Sequence, residues 1–257
     1  MRVKDKTAIV VGGAGGIGKA ICNLLASEGA QVMVADIDID AANAVVDEIQ
    51  IMGHSAIAMK VDITLEEETN AMATAALERF GKIDILANVA GGSKGRFIRD
   101  AFEPFAASTK KMWDRIIDIN LNGARNCTRS VINHMIERRE GKIVSIASLA
   151  GVQGVPNAVD YSAAKAGIIG FTKALAKEME PFGIQVNCIS PGGVATERMI
   201  GFAKARMARG DTWLDPEKMT KPEEIANIVL LLVSGEAGHL IGENIIIAGL
   251  ESSSERK

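Results

Sequence analysis

The sequence predicts an α/β protein: one doubly wound domain with a seven-stranded parallel sheet and helices on both faces. Three observations carry this. Short runs rich in Val, Ile and Ala alternate with longer stretches of helical periodicity from one end of the chain to the other. A glycine run falls at the first strand-to-helix turn. Glycine is frequent, at 26 residues, while aromatic residues make up only 4%, which suits parallel strands joined by tight turns to packed helices. Repeated strand–helix units make right-handed crossovers, and hence parallel pairing, the default.

The elements follow in order. Residues 7–11 form a short apolar strand, and after the glycine turn a helix runs over 17–28. Residues 31–35 give a second strand, and 39–52 carry apolar residues at helical spacing. A third strand over 55–61 leads to a helix over 65–80, which Gly81 is suited to stop. Strand four covers 84–87, and a single long helix is expected over 110–139. Strand five is 142–147, the next helix 159–179, and strand six 185–189. A helix over 223–233 and a strand over 244–248 complete the pattern. No linker-like break divides the chain, so residues 1–251 are expected as one domain, with a substrate lid at about 193–216 and a polar tail at 252–257.

Bulk properties narrow the function. A net charge of −3 gives no general electrostatic reason to bind nucleic acid or an anionic membrane. Cys22, Cys127 and Cys188 are far apart and fit neither a disulfide framework nor a zinc site, and His54, His134 and His239 lack metal-ligand spacing. No signal-peptide core and no apolar run near ~18 residues is present, so a cytoplasmic protein is expected.

Gly12-Gly13-Ala14-Gly15-Gly16-Ile17-Gly18 sits between the first strand and its helix. Alone it reads as a flexible loop or as a phosphate cradle; its place at a helix N-terminus favours the cradle, where backbone N–H groups meet a diphosphate. Asp36 lies just past the second strand, 18 residues after Gly18. A carboxylate there can accept hydrogen bonds from an adenosine ribose and would repel a 2′-phosphate, and no Lys or Arg stands in the glycine loop or directly after Asp36. NAD(H) is therefore expected in preference to NADP(H). The alternative for Asp36 is a solvated carboxylate or a helix cap.

Tyr161 and Lys165 lie one turn apart on a predicted helix and share a face. Tyr161 is the one tyrosine of the chain. An ammonium ~4 Å from a phenol at an effective dielectric of ~20 contributes roughly 4 kcal/mol, enough to bring the phenol from about 10 to about 7. Such a phenol exchanges protons readily with an alcohol or ketone oxygen. By itself a Tyr/Lys pair at this spacing is usually an ordinary helix-surface pair.

With these residues in place the chain resembles the short-chain dehydrogenase/reductase family over nearly its whole length, a family with a Rossmann-type fold. The landmarks occur in the family's order. They are the glycine loop through Gly18, then Asp36, Asp62, the segment Asn88-Val89-Ala90-Gly91, Asn120, Ser148 thirteen residues before Tyr161, Tyr161 with Lys165, and Pro191-Gly192-Gly193-Val194-Ala195-Thr196. The resemblance implies a secondary alcohol/ketone oxidoreductase with Tyr161 as general acid/base. It implies that Ser148 bonds the substrate oxygen, and that Lys165 lowers the tyrosine pKa and binds the nicotinamide ribose. Asn120 would hold a water that links Lys165 to solvent. Gly12, Gly15, Gly16, Ile17 and Gly18 would surround the diphosphate, and Asp62 and Ile63 would lie near the adenine. Asn88, Ala90 and Gly91 would lie near the ribose, with Pro191, Gly192, Val194 and Thr196 over the nicotinamide and Gly193 beside the substrate. No metal is needed. Ser148 and Asn120 can instead serve as backbone caps, Asp62 can brace its loop, and Asn88 can tie strands.

Three positions depart from the family pattern. Val11 stands where Thr is frequent, Val89 where a second Asn is frequent, and Ala248-Gly249-Leu250 where Asp-Gly-Gly is common. None is among the four catalytic positions. Two stretches should form the variable wall of a substrate pocket: 92–108, with Lys94, Arg96 and Arg99, and 197–216, with Arg198, Lys204, Arg206, Arg209 and Trp213. Their basic character suggests an anionic or CoA-linked substrate, or else solvated faces and subunit contacts. The resemblance extends to dehydrogenases of cyclic and acyl-CoA-linked alcohols and to 3-oxoacyl-carrier-protein reductases. It also implies a homotetramer in which the helices over 110–139 and 159–179 pack between subunits. A catalytically silent NAD-binding sensor is the reading of a different class.

Overall fold

The computed structural model describes residues 1–93, 104–207 and 216–248, with the backbone alone at 205–207 and 216. Lys94, Arg96, Arg99, Arg209, Trp213, Gly249, Leu250 and the tail at 252–257 lie outside the described residues, and so does the side chain of Arg206.

Seven parallel strands form one sheet in the order β3-β2-β1-β4-β5-β6-β7. They are β1 Thr7–Val11, β2 Gln31–Asp36, β3 Ala56–Lys60, β4 Ile85–Asn88, β5 Gly141–Ile146, β6 Ile184–Pro191 and β7 Asn244–Ile247. The helices are α1 Gly16–Ser27, α2 Ile39–Ile51, α3 Glu66–Phe80, α4 Lys110–Ile117, α5 Gly123–Arg138, α6 Leu149–Gln153, α7 Val159–Met179, α8 Glu197–Met207 and α9 Pro222–Val233. The strands alternate their faces. Ala8 and Val10 of β1, with Val32 and Val34 of β2, pack under α1, α2 and α9. Ile9, Val11, Met33 and Ala35 pack under α3, α5 and α7. Burial on both faces explains the continuous apolar runs, since each residue of a central parallel strand meets one helical layer or the other.

Local chemistry sets the boundaries. Asp38 caps α2 by accepting from Ala41 N–H at 3.2 Å, and Thr109 caps α4 by accepting from Met112 N–H at 3.2 Å. Gly81, with φ of 80°, ends α3 as expected. The single long helix expected over 110–139 is instead two α-helices joined by a π turn at Asp118–Asn122, where Gly123 N–H reaches back five residues to the Asp118 carbonyl. Asp84 does not begin strand four. Its buried carboxylate closes the opposite end of the sheet, accepting from Thr7 N–H at 2.8 Å and pairing with Arg138 and Lys82. Among the described residues no helix is long and apolar enough to cross a membrane.

Candidate active site

The sheet order reverses direction between β1 and β4, and the loops leaving the carboxyl ends of those strands open a crevice there. Register aligns the walls: Val11 pairs with Ala35 on one side and Asn88 on the other, and Asn88 pairs with Ser145.

The glycine loop forms the first wall. Gly12 has φ of +76°, and a side chain there would come within 2.6 Å of the Ala90 backbone, so only glycine lets the β1 and β4 loops meet this closely. Gly15 is the N-cap of α1, which starts with no side-chain cap and no acid in its first turn. Uncapped N–H groups at a helix start suit an anionic oxygen. Thr196 closes over this loop, its Cγ2 lying 2.8 Å from the site a Gly16 Cβ would take. Asp36 accepts from Ala14 N–H at 3.0 Å and from Asp38 N–H at 3.1 Å, one donor per oxygen. Each oxygen keeps acceptor capacity for a ribose hydroxyl. Lys19, the nearest cation in sequence, is tied to Glu48 at 2.7 Å. The uncapped helix, the glycine cradle and the carboxylate together fit an adenine dinucleotide.

Two residues expected at the cofactor also make structural contacts. Asp62 Oδ1 accepts from Thr64 N–H and Thr64 Oγ1, within its own turn. Ile63 is buried against Gly123, and its carbonyl accepts from Asn126 Nδ2 at 3.0 Å. Asn88 ties strands as well: its Nδ2 donates to Thr128 Oγ1 and Ser145 Oγ, and its Oδ1 has no partner among the described residues.

Asn120 and Lys165 organise the second wall. The π turn carries Asn120 into the interior, where Oδ1 accepts from Gly92 N–H at 2.8 Å and Nδ2 donates to the Gly92 and Ile116 carbonyls. It clamps the loop after β4. Gly91, with φ of +143°, leaves room for both side chains: a Cβ there would lie 2.6 Å from Asn120 Oδ1 and 3.3 Å from Lys165 Nζ.

Ser148, Tyr161 and Lys165 converge at the carboxyl end of β5. Ser148 caps the short α6, accepting from Ala150 N–H at 3.1 Å, and its hydroxyl acts to lower the Tyr161 phenol pKa. Lys165 Nζ donates to the Ile146 carbonyl at 2.7 Å and lies 5.8 Å from the centre of the Tyr161 ring. Burial pushes Lys165 down to about 8, with Cys188 working weakly upward. Burial also raises the Tyr161 phenol above 10, against the lowering effects of the Ser148 hydrogen bond and the Arg198 charge. The expected fall to about 7 under Lys165 is therefore corrected: the ammonium is aimed at a carbonyl and does not contribute to the lowering, and desolvation dominates. The α6 turn was not read from the sequence.

The loop after β6 completes the site. Gly192 N–H donates to the Ile247 carbonyl, and Gly193 and Ala195 pair with Thr220. Pro191 and Val194 are buried, and Thr196 caps α8 through Met199 N–H.

Comparison with known proteins adds to this geometry. A family model described as short chain dehydrogenase matches residues 6–206. The chain is 34% identical over 256 residues to the (2S)-[(R)-hydroxy(phenyl)methyl]succinyl-CoA dehydrogenase subunit BbsD of Thauera aromatica, covering 97% of each chain. It is 32% identical over 249 residues to the 3-oxoacyl-[acyl-carrier-protein] reductase FabG of Thermotoga maritima, covering 97% of this chain and 98% of that one. A solved 7α-hydroxysteroid dehydrogenase, complexed with NADH and 7-oxo glycochenodeoxycholic acid, superposes with a TM-score of 0.85 at 32% identity, covering 96% and 94% of the two chains.

Proposed function

The chain belongs to the short-chain dehydrogenase/reductase family, oxidoreductases that act on hydroxyl and keto groups with a nicotinamide cofactor, and from that premise we propose that this member interconverts a secondary alcohol and a ketone with NAD(H). The observation that carries the proposal is the convergence of Ser148, Tyr161 and Lys165 beside the glycine cradle.

Tyr161 is the general acid/base. In reduction its phenol gives a proton to the carbonyl oxygen; in oxidation the phenolate takes the hydroxyl proton as C–O becomes C=O. Ser148 donates to the same oxygen and stabilises charge as it develops there. Bound nicotinamide supplies the hydride-donating or hydride-accepting centre. Lys165, close to Gly91, holds the nicotinamide ribose, and Asn120 fixes the loop that carries Gly91 and Gly92 and connects Lys165 to a proton path. The uncapped start of α1 and Gly12, Gly15, Gly16, Ile17 and Gly18 receive the diphosphate. Asp36 reads the adenosine ribose and opposes a 2′-phosphate.

A raised phenol pKa keeps Tyr161 protonated at neutral pH, which favours its use as an acid in ketone reduction. Likeness to the 3-oxoacyl-[acyl-carrier-protein] reductase makes a carrier-linked 3-oxoacyl substrate the second reading. The test is absorbance at the reduced-nicotinamide band with NAD and NADP over neutral and anionic secondary alcohols. Turnover with NAD and little with NADP is expected; preference for NADP would overturn the role given to Asp36. The family resemblance also leads us to propose a homotetramer, which light scattering of the purified protein checks.

A further inference from the structure

Lys165 touches the segment that carries Ser148 at two points. Its Nζ donates to the Ile146 carbonyl at 2.7 Å, two residues before Ser148. Its backbone meets Gly151, three residues after Ser148. A Cβ on Gly151 would lie 2.5 Å from the Lys165 carbonyl carbon, 2.6 Å from Ala166 N and 2.9 Å from the Lys165 carbonyl oxygen. Ser148 is bracketed between these contacts, and one turn joins it to Gly151, whose N–H donates to the Ser148 carbonyl at 2.9 Å. A third tether lies further along, where Val155 N–H donates to the Oγ of Ser162, the residue after Tyr161, at 3.1 Å.

Gly151 makes the backbone contact possible. All three atoms facing its missing side chain belong to the α7 backbone, so no change of rotamer can make room. Its φ lies outside the left-handed region, and inside a helix alanine is otherwise the better residue. The contact alone thus calls for glycine. An added methyl would have to move from 2.5 Å to the 3.4 Å of ordinary contact, opening α6 from α7 by about 0.9 Å.

We propose that Gly151 is a positioning residue for the proton-transfer step: by letting α6 rest on the α7 backbone at Lys165, it sets the distance between Ser148 and Tyr161. This rests on the oxidoreductase reading of the same site. A misplacement of ~1 Å at a reacting centre can cost about 10²-fold in rate, so an opening of this size is enough to matter.

Tyr161 is the one tyrosine of the chain, so its phenolate absorbance reports on the site without any substrate. The Ser148 hydroxyl works to lower that phenol, and withdrawing it should raise the apparent pKa. G151A and S148A should each raise it. The double variant should match S148A, because the glycine acts through the serine. G235A is the control: a methyl there meets nothing within 4 Å, and the phenol should stay in place. Turnover is read with NADH and two ketone probes, cyclopentanone and acetoacetyl-CoA. In G151A kcat should fall about tenfold to 10²-fold, with NADH affinity within about threefold of the wild type. S162A removes the third tether without adding bulk, and it carries the test if G151A does not fold. A smaller rise in the phenol pKa, absent from an S148A background, is expected there. An unchanged phenol in G151A (or in S162A where it stands in), a double variant that rises beyond S148A, or NADH affinity that falls along with kcat would overturn the proposal. The expected titration pattern with neither ketone reduced would keep the positioning role and count against the oxidoreductase reading.

Discussion

Replacing Lys165 with methionine should stabilise the fold while it removes activity. Lys165 is 4% exposed, and its described hydrogen bond goes to the Ile146 carbonyl at 2.7 Å. Burial lowers its pKa from 10.5 to about 8, with Cys188 opposing. The folded state therefore binds fewer protons than the unfolded chain between those values, and stability rises with pH across that window. Below it, the folded protein carries the full penalty of a buried charge. At about 1.4 kcal/mol for each pKa unit this is about 3 kcal/mol near neutral pH. Methionine has similar length and no charge, and the lost ammonium–carbonyl bond returns about 1.5 kcal/mol. K165M should thus gain about 1–2 kcal/mol near pH 7, and the gap should shrink by about 2 kcal/mol by about pH 9.5 as the wild-type lysine discharges. Equilibrium urea unfolding at fixed protein concentration, run in parallel at the two pH values, measures the gap. A gap that stays constant between them would refute the argument, whatever its sign.

Gly12→Ala forces a side chain into a left-handed position 2.6 Å from Ala90, so it should lower stability by about 2 kcal/mol or more and weaken NADH binding, as read by thermal melting and fluorescence titration. Acid should destabilise the protein in two stages. His134, lowered from 6.5 by burial and then by Arg138, loses stability as pH falls below 6.5, because protonation removes the acceptor for Ile83 N–H. Burial pushes Asp84 upward, but the Thr7 N–H, Arg138 and Lys82 hold it below 3.8, so its contribution is lost as pH falls through that lowered value. His134→Gln should flatten the first stage and Asp84→Asn the second in a melting temperature series against pH. Because the Tyr161 phenol is raised, kcat/KM for alcohol oxidation should climb from neutral pH toward 10, while ketone reduction should fall only at the high end.

Strand identity was legible because the central strands are buried on both faces, which leaves uninterrupted apolar runs such as Ala8–Val10 and Val32–Val34. The geometry of the candidate site was legible where the backbone tolerates one residue type or the helix fixes a spacing: Gly12 at its positive φ, Gly91 between Asn120 and Lys165, and Tyr161 one turn from Lys165. What escaped depends on three-dimensional surroundings. The π turn at Asp118–Asn122 leaves helical periodicity almost intact, so 110–139 reads as one helix. The tyrosine pKa was misjudged because a pairwise charge estimate omits burial and the direction of the ammonium, which points to Ile146.

The central claim is that Tyr161 moves the proton in a reaction whose cofactor is held elsewhere in the crevice. Tyr161→Phe keeps the ring and removes only the hydroxyl. The measurement is its turnover at the reduced-nicotinamide band alongside NADH affinity by fluorescence. The account predicts a fall in kcat of about 10²–10⁴-fold with NADH binding within a few-fold of the wild type. Undiminished turnover in Tyr161→Phe, with NADH binding intact, would contradict it.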